Sequence, residues 1–286
     1  MFRVFADDTG IFIQSSDENI LIGKAREIMI TIDKWFSDNR LTLNTDKTSY
    51  IIFKSSRWKL PLIPDKIEFN NKKIYRVNSV KYLGLLLDES LSWNLHVIDV
   101  CKNIKRFFPI FYNIRQYITQ KQARSIYYTM IYSKIKYAII VYGLTSQDNI
   151  SKLQILQNGL LKVLTKKKHR YSTNRLHNEL DILQINDMIN QEITTFVHGY
   201  INNKLPTVFK NYFNHRQSIE SYISNERKIR FLTPTHRSSI GANTIYVKGG
   251  QLWNSLTFSD KPNVSPKVFR KAFRSSILPY AVNVLN

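Results

Sequence analysis

The sequence predicts an α+β fold, with short antiparallel strands plus one helix, then a mainly helical segment and a small mixed C-terminal region. Three observations support this prediction. Residues 1–92 alternate apolar and polar side chains between turn residues, as short strands do. Residues 93–213 carry apolar side chains at helical spacing. Residues 214–286 combine a polar stretch, a partly extended stretch and a short basic helix.

The first predicted elements are a tight hairpin and a helix. In RVFADDTGIFI (residues 3–13), Asp-Asp-Thr-Gly supplies turn residues between two β-prone stretches. Apolar residues then recur at helical spacing from Asp17 to Asp38. Asp17 is the predicted N-cap of this helix, and Asn39 is its predicted stop.

Further short strands are predicted as far as residue 90. LTL and SYIIF (49–53) form strand pieces around the turn NTDK. KIEFNNKKIYRV (66–77) is predicted to be a hairpin, because it alternates around an Asn-Asn pair. VKYLGLLLD (80–88) is predicted to be another strand.

Two amphipathic stripes predict the packing faces of the helical segment. They comprise Ile150, Leu153, Leu156, Leu160, Leu161 and Leu164, and then Ile182, Leu183, Ile185, Met188, Ile189, Ile193 and Phe196. Beyond a polar stretch at 214–230, residues 241–256 are predicted to be partly extended. Residues 265–278 are predicted to be a helix, with Ser265 as N-cap and Pro266 at its first position.

Positive charge is concentrated in the later part of the chain. The net charge is +21; residues 1–100 carry 14 Lys/Arg and 13 Asp/Glu, whereas residues 101–286 carry 28 and 8. This asymmetry favours a polyanionic partner, most often nucleic acid and sometimes an anionic membrane, over a surface that is merely soluble. The hydrophobic content of 43% excludes a disordered chain.

Cysteine usage and hydropathy limit the remaining classes. Cys101 is the single cysteine, which excludes a disulfide framework and a cysteine-based zinc site. The apolar run at 137–144 is too short to cross a membrane, so we expect no membrane partner. Asp7 and Asp8 interrupt the region where a signal peptide would need an apolar stretch. We therefore expect an intracellular location, nuclear and/or cytoplasmic.

Asp7 and Asp8 are like charges placed next to each other in the predicted hairpin. Taken alone, such a pair is most often an ordinary solvated turn. The alternative is a site for Mg²⁺ or Mn²⁺, which prefer hard oxygen ligands. Two such ions can stabilise the attacking and leaving oxygens in phosphoryl transfer.

The order of the motifs supports the second alternative. FADDT, a helix, NRLTLNTDKTSYIIF and VKYLGLLLDESLSWNLHV together resemble the second half of the palm of reverse transcriptases. The similarity is greatest to non-LTR (LINE-type) retrotransposons of the Jockey/CR1 kind. LQNGLLKVLT (156–165), ELDILQINDMI (179–189), NNKLP (202–206) and GGQLWNSL (249–256) resemble the region after the thumb of the same elements.

The resemblance implies roles for specific residues. Asp7 matches the metal-binding carboxylate of the hairpin, and Asp8 matches its neighbour. Lys47 matches the lysine of the N-x-x-K-T segment, where it would protonate or neutralise departing pyrophosphate; the alternative is an exposed turn lysine.

The resemblance also implies a primer grip and a set of partners. Tyr82, Leu83 and Gly84 match the primer grip, although a glycine at a strand kink is an equal alternative without this context. The implied cofactor is Mg²⁺ or Mn²⁺. The implied partners are an RNA template and a DNA primer, with a deoxynucleotide as substrate in the full-length ancestor.

Basic residues of the helical segment are candidates for phosphate contacts. They are Lys102, Lys105, Arg106, Lys166, Lys167, Lys168 and Arg170. The run KKKHR could also be a nuclear-import patch or a solvated loop. The interleaved aromatic residues follow the helical period and are predicted to be core; they are Phe107, Phe108, Tyr112, Tyr117, Tyr127 and Tyr128.

One departure from the family governs the expected activity. The fingers and the palm strand with the other catalytic aspartate precede FADD in the family, and Phe5 follows Met1 by four residues. We therefore expect this chain alone to be an inactive fragment of an RNA-directed DNA polymerase. The alternative is a non-catalytic basic nucleic-acid-binding module.

Overall fold

A computed structural model describes residues 2–5, 8–53, 64–213, 215–216, 230–233, 239–256 and 264–278. The chain divides into two compact units, Met1–Leu95 and His96–Asn286, which are called unit 1 and unit 2 below. Unit 1 holds small sheets and a long helix, and unit 2 is mainly helical. The predicted α+β fold class is confirmed.

Unit 1 opens with the predicted hairpin and helix. Strands β1 (Phe2–Phe5) and β2 (Asp8–Ile11) pair antiparallel. Helix α1 spans Glu18–Asp38, and the Asp17 carboxylate accepts a hydrogen bond of 3.0 Å from the backbone N–H of Ile20. The predicted N-cap is therefore confirmed, and the helix ends at the predicted residue.

A three-stranded sheet follows, in the order β3-β5-β4. Strand β3 (Ser49–Tyr50) lies parallel to β5 (Lys72–Arg76), and β4 (Lys66–Phe69) pairs antiparallel with β5. The predicted β4–β5 hairpin is confirmed. Its two turn residues, Asn70 and Asn71, have φ angles of 42° and 59°, which a type I′ turn requires and asparagine tolerates.

Two strand predictions in this part of the chain were too long. Residues 41–43 form no strand, and only the first two residues of SYIIF pair with a neighbour. The turn between them is closed locally, by the side chains of Asn44 and Thr48.

The prediction of one continuous strand over residues 80–88 was wrong. Strands β6 (Ser79–Tyr82) and β7 (Leu85–Asp88) form an antiparallel hairpin instead. Leu83 and Gly84 form its turn, with φ angles of 46° and 79°. Leucine seldom adopts a positive φ, so the pattern of apolar residues concealed this turn.

The core of unit 1 packs one face of α1 against β4 and β5. Met29, Ile67, Phe69 and Ile74 are buried together. Asp33 is also buried on this face, where it pairs with Lys72 and accepts a hydrogen bond of 3.0 Å from the Asn70 side chain. These hydrogen bonds lower the pKa of Asp33, so this buried carboxylate of α1 stays in its charged form.

The Asp88 carboxylate organises the chain after β7. It accepts hydrogen bonds from the backbone N–H groups of Ser90, Ser92 and Trp93 at 3.0–3.1 Å and from both serine hydroxyls at 2.6 and 3.1 Å. Burial alone would raise the pKa of Asp88, but these hydrogen bonds outweigh it and lower the pKa overall. The carboxylate therefore stabilises the turn that leads to the next helix.

Unit 2 consists of short and long helices. The first of these, α2 (Asn94–Lys105), begins at the end of unit 1. The others are α3 (Phe107–Ile114), α4 (Gln120–Tyr127), a π-helical turn (Tyr128–Tyr132), α5 (Ser133–Lys136), α6 (Ile139–Tyr142), α7 (Gln147–Leu164), α8 (Thr173–Leu180) and α9 (Ile185–Ile201). After a 3₁₀ turn (Thr207–Phe209) come β8 (His215–Arg216), β9 (Arg230–Phe231), α10 (Ser239–Ala242), α11 (Ile245–Ser255) and α12 (Pro266–Ile277).

Both predicted stripes pack into the core of unit 2. All six residues of the α7 stripe are buried, as are the residues of the second stripe apart from the half-buried Phe196. Ile182 and Leu183 precede α9 rather than lying on it. Helix α9 contacts α7, α11 and α12, so it lies at the centre of the unit.

The prediction of an extended stretch at 241–256 was wrong, because this stretch is helical. The Thr244 hydroxyl caps α11 by accepting a hydrogen bond from the N–H of Val247. Gly249 and Gly250 are buried where α11 meets α9 and β9, so these glycines serve close packing and not a turn. The α12 prediction is confirmed, including its Ser265 N-cap and Pro266 at the first turn.

No helix among the described residues is both long and apolar enough to cross a membrane.

Asp88→Asn is expected to destabilise unit 1 by about 1–3 kcal/mol at pH 7, because an amide cannot accept all five hydrogen bonds. Since folding lowers the carboxylate pKa, its stabilisation is complete above the ordinary value of about 4 and is lost as the pH falls through the folded pKa. Urea unfolding at pH 7 and pH 3 checks this expectation. The difference between wild type and variant should shrink at the lower pH, and an exposed control, Asp46→Asn, should change stability by less than about 0.5 kcal/mol.

Gly249→Ala is expected to destabilise unit 2 by about 1–3 kcal/mol. A methyl group there would lie 3.0 Å from both Phe213 and Val197. Gly23→Ala is the matched control, because Gly23 lies in the exposed interior of α1 with nothing within 4 Å of the added methyl group. Thermal unfolding should show the control unchanged or stabilised by about 0.5–1 kcal/mol. Equal effects of the two substitutions would contradict the close packing of α11 on α9.

Candidate functional site

The aspartate hairpin is built from an apolar β1 and the start of β2. Phe5 pairs with Asp8 across the hairpin, and Asp8 is the first residue of β2. Asp7 lies outside the described residues. The backbone of Asp8 is therefore fixed by a strand register, at the end of the hairpin where the two strands are joined.

The N-x-x-K-T segment forms a closed turn that presents its lysine to solvent. The Asn44 side chain accepts a hydrogen bond of 3.2 Å from the N–H of Lys47. The Thr48 hydroxyl donates a hydrogen bond of 2.7 Å to the Asn44 carbonyl. The asparagine and threonine of the motif thus hold the turn, and the Lys47 side chain is exposed.

Tyr82 of the β6–β7 hairpin packs close to the β1–β2 hairpin, which carries the aspartates. A methyl group on Gly10 of β2 would lie 3.1 Å from the Tyr82 hydroxyl and 3.3 Å from its ring. The ring of Tyr82 also packs edge-on against Phe12, with centroids 6.2 Å apart. Gly10 therefore permits the close approach of Tyr82 to the strand that begins with Asp8.

A cavity of about 290 Å³ brings the three segments together. Its lining includes Thr9 and Gly10 of the aspartate hairpin, Thr48 next to Lys47, and Tyr82 of the β6–β7 hairpin. Most of its lining is apolar and includes core residues such as Met29. Of the candidate residues Lys47, Tyr82, Leu83 and Gly84, only Tyr82 lines it. Segments separated by more than 70 residues in sequence therefore border one concave surface, as a shared site requires.

The described residues hold no group of three or more His, Cys, Asp or Glu side chains arranged to bind a metal. Leu83 and Gly84 form the turn at the end of the β6–β7 hairpin, where Gly84 is exposed and Leu83 half-buried. The residue types of the site are thus a hairpin aspartate, an exposed lysine and an exposed hairpin turn.

Comparison with known proteins finds relatives of this chain by sequence. A probable RNA-directed DNA polymerase from transposon X-element of Drosophila melanogaster is 22% identical over 199 residues, which are 68% of this chain and 22% of the relative. A probable RNA-directed DNA polymerase from transposon BS of the same species is 21% identical over the same shares of both chains. The RNA-directed DNA polymerase from mobile element jockey of that species is 19% identical over 196 residues, 66% of this chain and 20% of the relative.

The homologues of this chain are RNA-directed DNA polymerases of non-LTR transposons. The resemblance found in the sequence is therefore confirmed. The chain spans about a fifth of the length of the relatives it matches. No family profile matches the chain, and no solved structure matches it.

The basic residues predicted to contact phosphate fall into two groups. Lys102 and Lys105 are exposed in the last turn of α2, where the helix dipole favours positive charge, and Arg106 is exposed just after it. The second group lies in the loop between α7 and α8. No hydrogen bond or ion pair among the described residues joins the first group to the second.

The members of the second group differ in their surroundings. Lys167 is half-buried, forms an ion pair of 3.4 Å with Glu179 and lies over the Tyr171 ring. Lys166, Lys168 and Arg170 are exposed, and no carboxylate of the described residues pairs with them. Lys167 is therefore a structural residue, and the other three present charge to solvent.

Two of the aromatic residues predicted to be core are exposed. Tyr127 is buried, but Tyr112 is 58% exposed and Tyr117 is 79% exposed. Helix α3 ends at Ile114, so Tyr117 lies beyond the helical period that the prediction relied on. The exposure of these two rings is a feature that the sequence pattern did not reveal.

The segments resembling the region after the thumb form a buried polar network. The Gln157 side chain, fully buried, donates to the Tyr127 hydroxyl at 2.6 Å and to the Leu183 carbonyl at 3.0 Å. The Asn158 side chain lies 2.9 Å from one ring nitrogen of His177, whose other nitrogen lies 2.9 Å from a backbone carbonyl. Burial lowers the pKa of His177. The sequence did contain a signal for this network, because the polar Gln157 and Asn158 interrupt the apolar residues of α7.

The contact between the two hairpins can be tested by a double-mutant cycle. Gly10→Ala should destabilise unit 1, because the methyl group displaces the Tyr82 ring. In the Tyr82→Ala background the same substitution should cost less, with a coupling energy of about 0.5–1.5 kcal/mol. Urea unfolding of the four proteins measures the coupling. Equal costs of Gly10→Ala in both backgrounds would contradict the contact.

Proposed function

We propose that the chain is part of an RNA-directed DNA polymerase of a non-LTR retrotransposon, covering the end of the palm, the thumb and the region after it. The observation that carries this proposal is the single cavity bordered by the aspartate hairpin, the N-x-x-K-T turn and the Tyr82 hairpin. These are the three segments that the reverse transcriptase resemblance predicts in this order. The names of the relatives support the same activity.

Asp7 and Asp8 are proposed to hold Mg²⁺ or Mn²⁺. Adjacent carboxylates suit these hard cations in ligand type and in charge. The strand register that fixes Asp8 supplies a rigid base for such a site. A bound ion would supply charge neutralisation during nucleotidyl transfer, when the attacking and leaving oxygens carry negative charge.

The other two segments have complementary proposed roles. Lys47 would neutralise or protonate pyrophosphate as it departs, because the closed turn presents its exposed side chain to solvent. The Tyr82, Leu83 and Gly84 turn would support the primer strand. Gly84 is exposed and lacks a side chain, so a nucleic-acid backbone can approach it closely.

Basic residues of unit 2 are proposed to bind the template–primer duplex through its phosphates. Residues 101–286 carry 28 Lys/Arg against 8 Asp/Glu. Lys102, Lys105, Arg106, Lys166, Lys168 and Arg170 are exposed and suit sequence-independent contacts of this kind. Lys167 contributes less in this proposal, because Glu179 already compensates its charge.

The 286 residues alone are proposed to bind template and primer without polymerising. The relatives whose names state the activity are about five times longer than the matched segment. Completion of the palm is expected to require residues corresponding to other parts of those relatives. On its own, the chain would then behave as a basic nucleic-acid-binding module.

Primer extension on an RNA template with a DNA primer, deoxynucleotides and Mg²⁺ tests the proposal. The chain alone should incorporate no nucleotide above an Asp7→Asn/Asp8→Asn control. The same chain fused behind the part of the X-element polymerase that precedes the matched region should extend the primer. Asp7→Asn in that fusion should reduce extension by at least about 100-fold, because a metal carboxylate is lost.

Asp38→Asn is the matched control in the fusion, since Asp38 is an exposed aspartate at the end of α1, outside the three candidate segments. Extension that survives Asp7→Asn and Asp8→Asn would contradict the assigned carboxylates. Extension by the 286-residue chain alone, if Asp7→Asn abolished it, would support the polymerase assignment. It would overturn only the proposal that the chain alone is inactive.

A further inference from the structure

Two exposed tyrosines of unit 2 belong to a segment that contacts the basic loop between α7 and α8. Tyr112 is on α3, and Tyr117 follows the end of that helix. The Lys166 ammonium donates a hydrogen bond of 3.4 Å to the carbonyl of Gln116, the residue before Tyr117. The structure thus joins the tyrosine segment directly to the start of the KKKHR loop.

Arg115, which lies between the two tyrosines in sequence, adds a planar cation to this segment. Its guanidinium carbon lies 3.8 Å from the centroid of the Tyr112 ring, so the cation stacks on that ring. Tyr112 remains 58% exposed in spite of this contact. Tyr117 is 79% exposed, the highest value among the exposed large apolar side chains of the described residues.

Such exposure is unfavourable for a ring that only has to pack. Burying a tyrosine would remove a large apolar area from water, yet these two rings remain exposed. Lys166 contacts the residue before Tyr117, and Lys168 and Arg170 are exposed two and four residues further along the same loop. An aromatic face next to unpaired cations matches an unpaired base and its phosphate. A double helix offers phosphates to this surface, but its stacked bases cannot reach the rings.

We propose that Tyr112, Arg115 and Tyr117 form a stacking platform for the bases of a single-stranded nucleic acid, with Lys166, Lys168 and Arg170 binding its phosphates. This site goes beyond the proposed polymerase function, because it adds recognition of unpaired bases to basic residues that the proposal assigns only to duplex phosphates. The chemistry it recognises is shared by RNA and DNA.

Fluorescence anisotropy of the full 286-residue chain with labelled 20-mers tests the platform. The probes are oligo-U RNA, oligo-dT DNA, an abasic DNA of the same length and a blunt DNA duplex. Tyr117→Ala and Tyr112→Ala are each expected to weaken binding of oligo-U or oligo-dT by at least about fivefold, because base stacking on the ring is lost. Neither substitution should change the affinity for the abasic strand or for the duplex.

Three variants serve as controls. Tyr75→Ala removes a tyrosine of unit 1 that is also 58% exposed, and it should leave all four affinities unchanged. Tyr117→Phe keeps the ring and should bind oligo-dT as wild type does. Lys168→Gln should weaken all four probes alike and make the logarithm of the affinity less dependent on salt.

Equal losses of affinity for base-containing and abasic strands in the tyrosine variants would overturn the platform, as would no loss at all. Competition by polyglutamate that matches competition by unlabelled oligo-dT would also overturn it, in favour of an acidic protein partner. A larger loss of affinity for oligo-U would support the platform with RNA as its ligand, and a larger loss for oligo-dT would support it with DNA as its ligand. No readout uses nucleotide incorporation, so failure of the platform is distinguishable from failure of the polymerase proposal.

Discussion

Asp181 is the residue on which the packing of unit 2 depends. It ends α8 in the left-handed conformation, with a φ of 48°. Its carboxylate accepts hydrogen bonds from Arg124 of α4 at 2.6 Å and from Arg274 of α12 at 2.7 Å. Its carbonyl accepts hydrogen bonds from Tyr128 and Arg274. One residue therefore joins segments that are separated by as many as 150 positions in sequence.

The hydrogen bonds around Asp181 have a geometry that only one arrangement of the surrounding helices satisfies. Arg124 and Arg274 both lie near the face of the Tyr128 ring, with guanidinium carbons 5.1 and 5.9 Å from its centroid. Arg124 also donates to the Leu180 carbonyl at 2.7 Å, which satisfies an end of α8 that would otherwise lack a partner. A partly buried pair gains little over an apolar contact, but removal of one partner leaves an uncompensated charge. The contact thus selects one arrangement of α4, α8 and α12.

The sequence predicted those elements whose local chemistry agrees with their tertiary contacts. Asp17 and Ser265 cap the helices that their positions indicate, and Asn70 with Asn71 forms the expected turn. Apolar stripes on α7 and α9 identified the core of unit 2, because burial follows the helical period there. Each of these is a short-range signal that needs no knowledge of the partner.

The misses arose where distant contacts decide the structure. Leu83 adopts a positive φ because the hairpin around it imposes the turn, and its residue type gives no indication of this. Gly249 resembles a breaker, but close approach of Val197 from α9 explains its presence in a helix. The candidate site was predicted as an order of motifs. That Thr9, Thr48 and Tyr82 border one cavity follows only from the packing of unit 1.

The distribution of charge in unit 2 bears on its stability and on the proposed contacts with nucleic acid. Excess positive charge repels itself and opposes a compact fold. Glu179, Asp181 and Glu192 each pair with two basic residues, so a small number of carboxylates compensates the cations that lie within the fold. The exposed lysines and arginines beyond their reach, Lys168 and Arg170 among them, have no carboxylate partner among the described residues. The acidic residues therefore determine which basic residues stabilise the structure and which remain available for the proposed phosphate contacts.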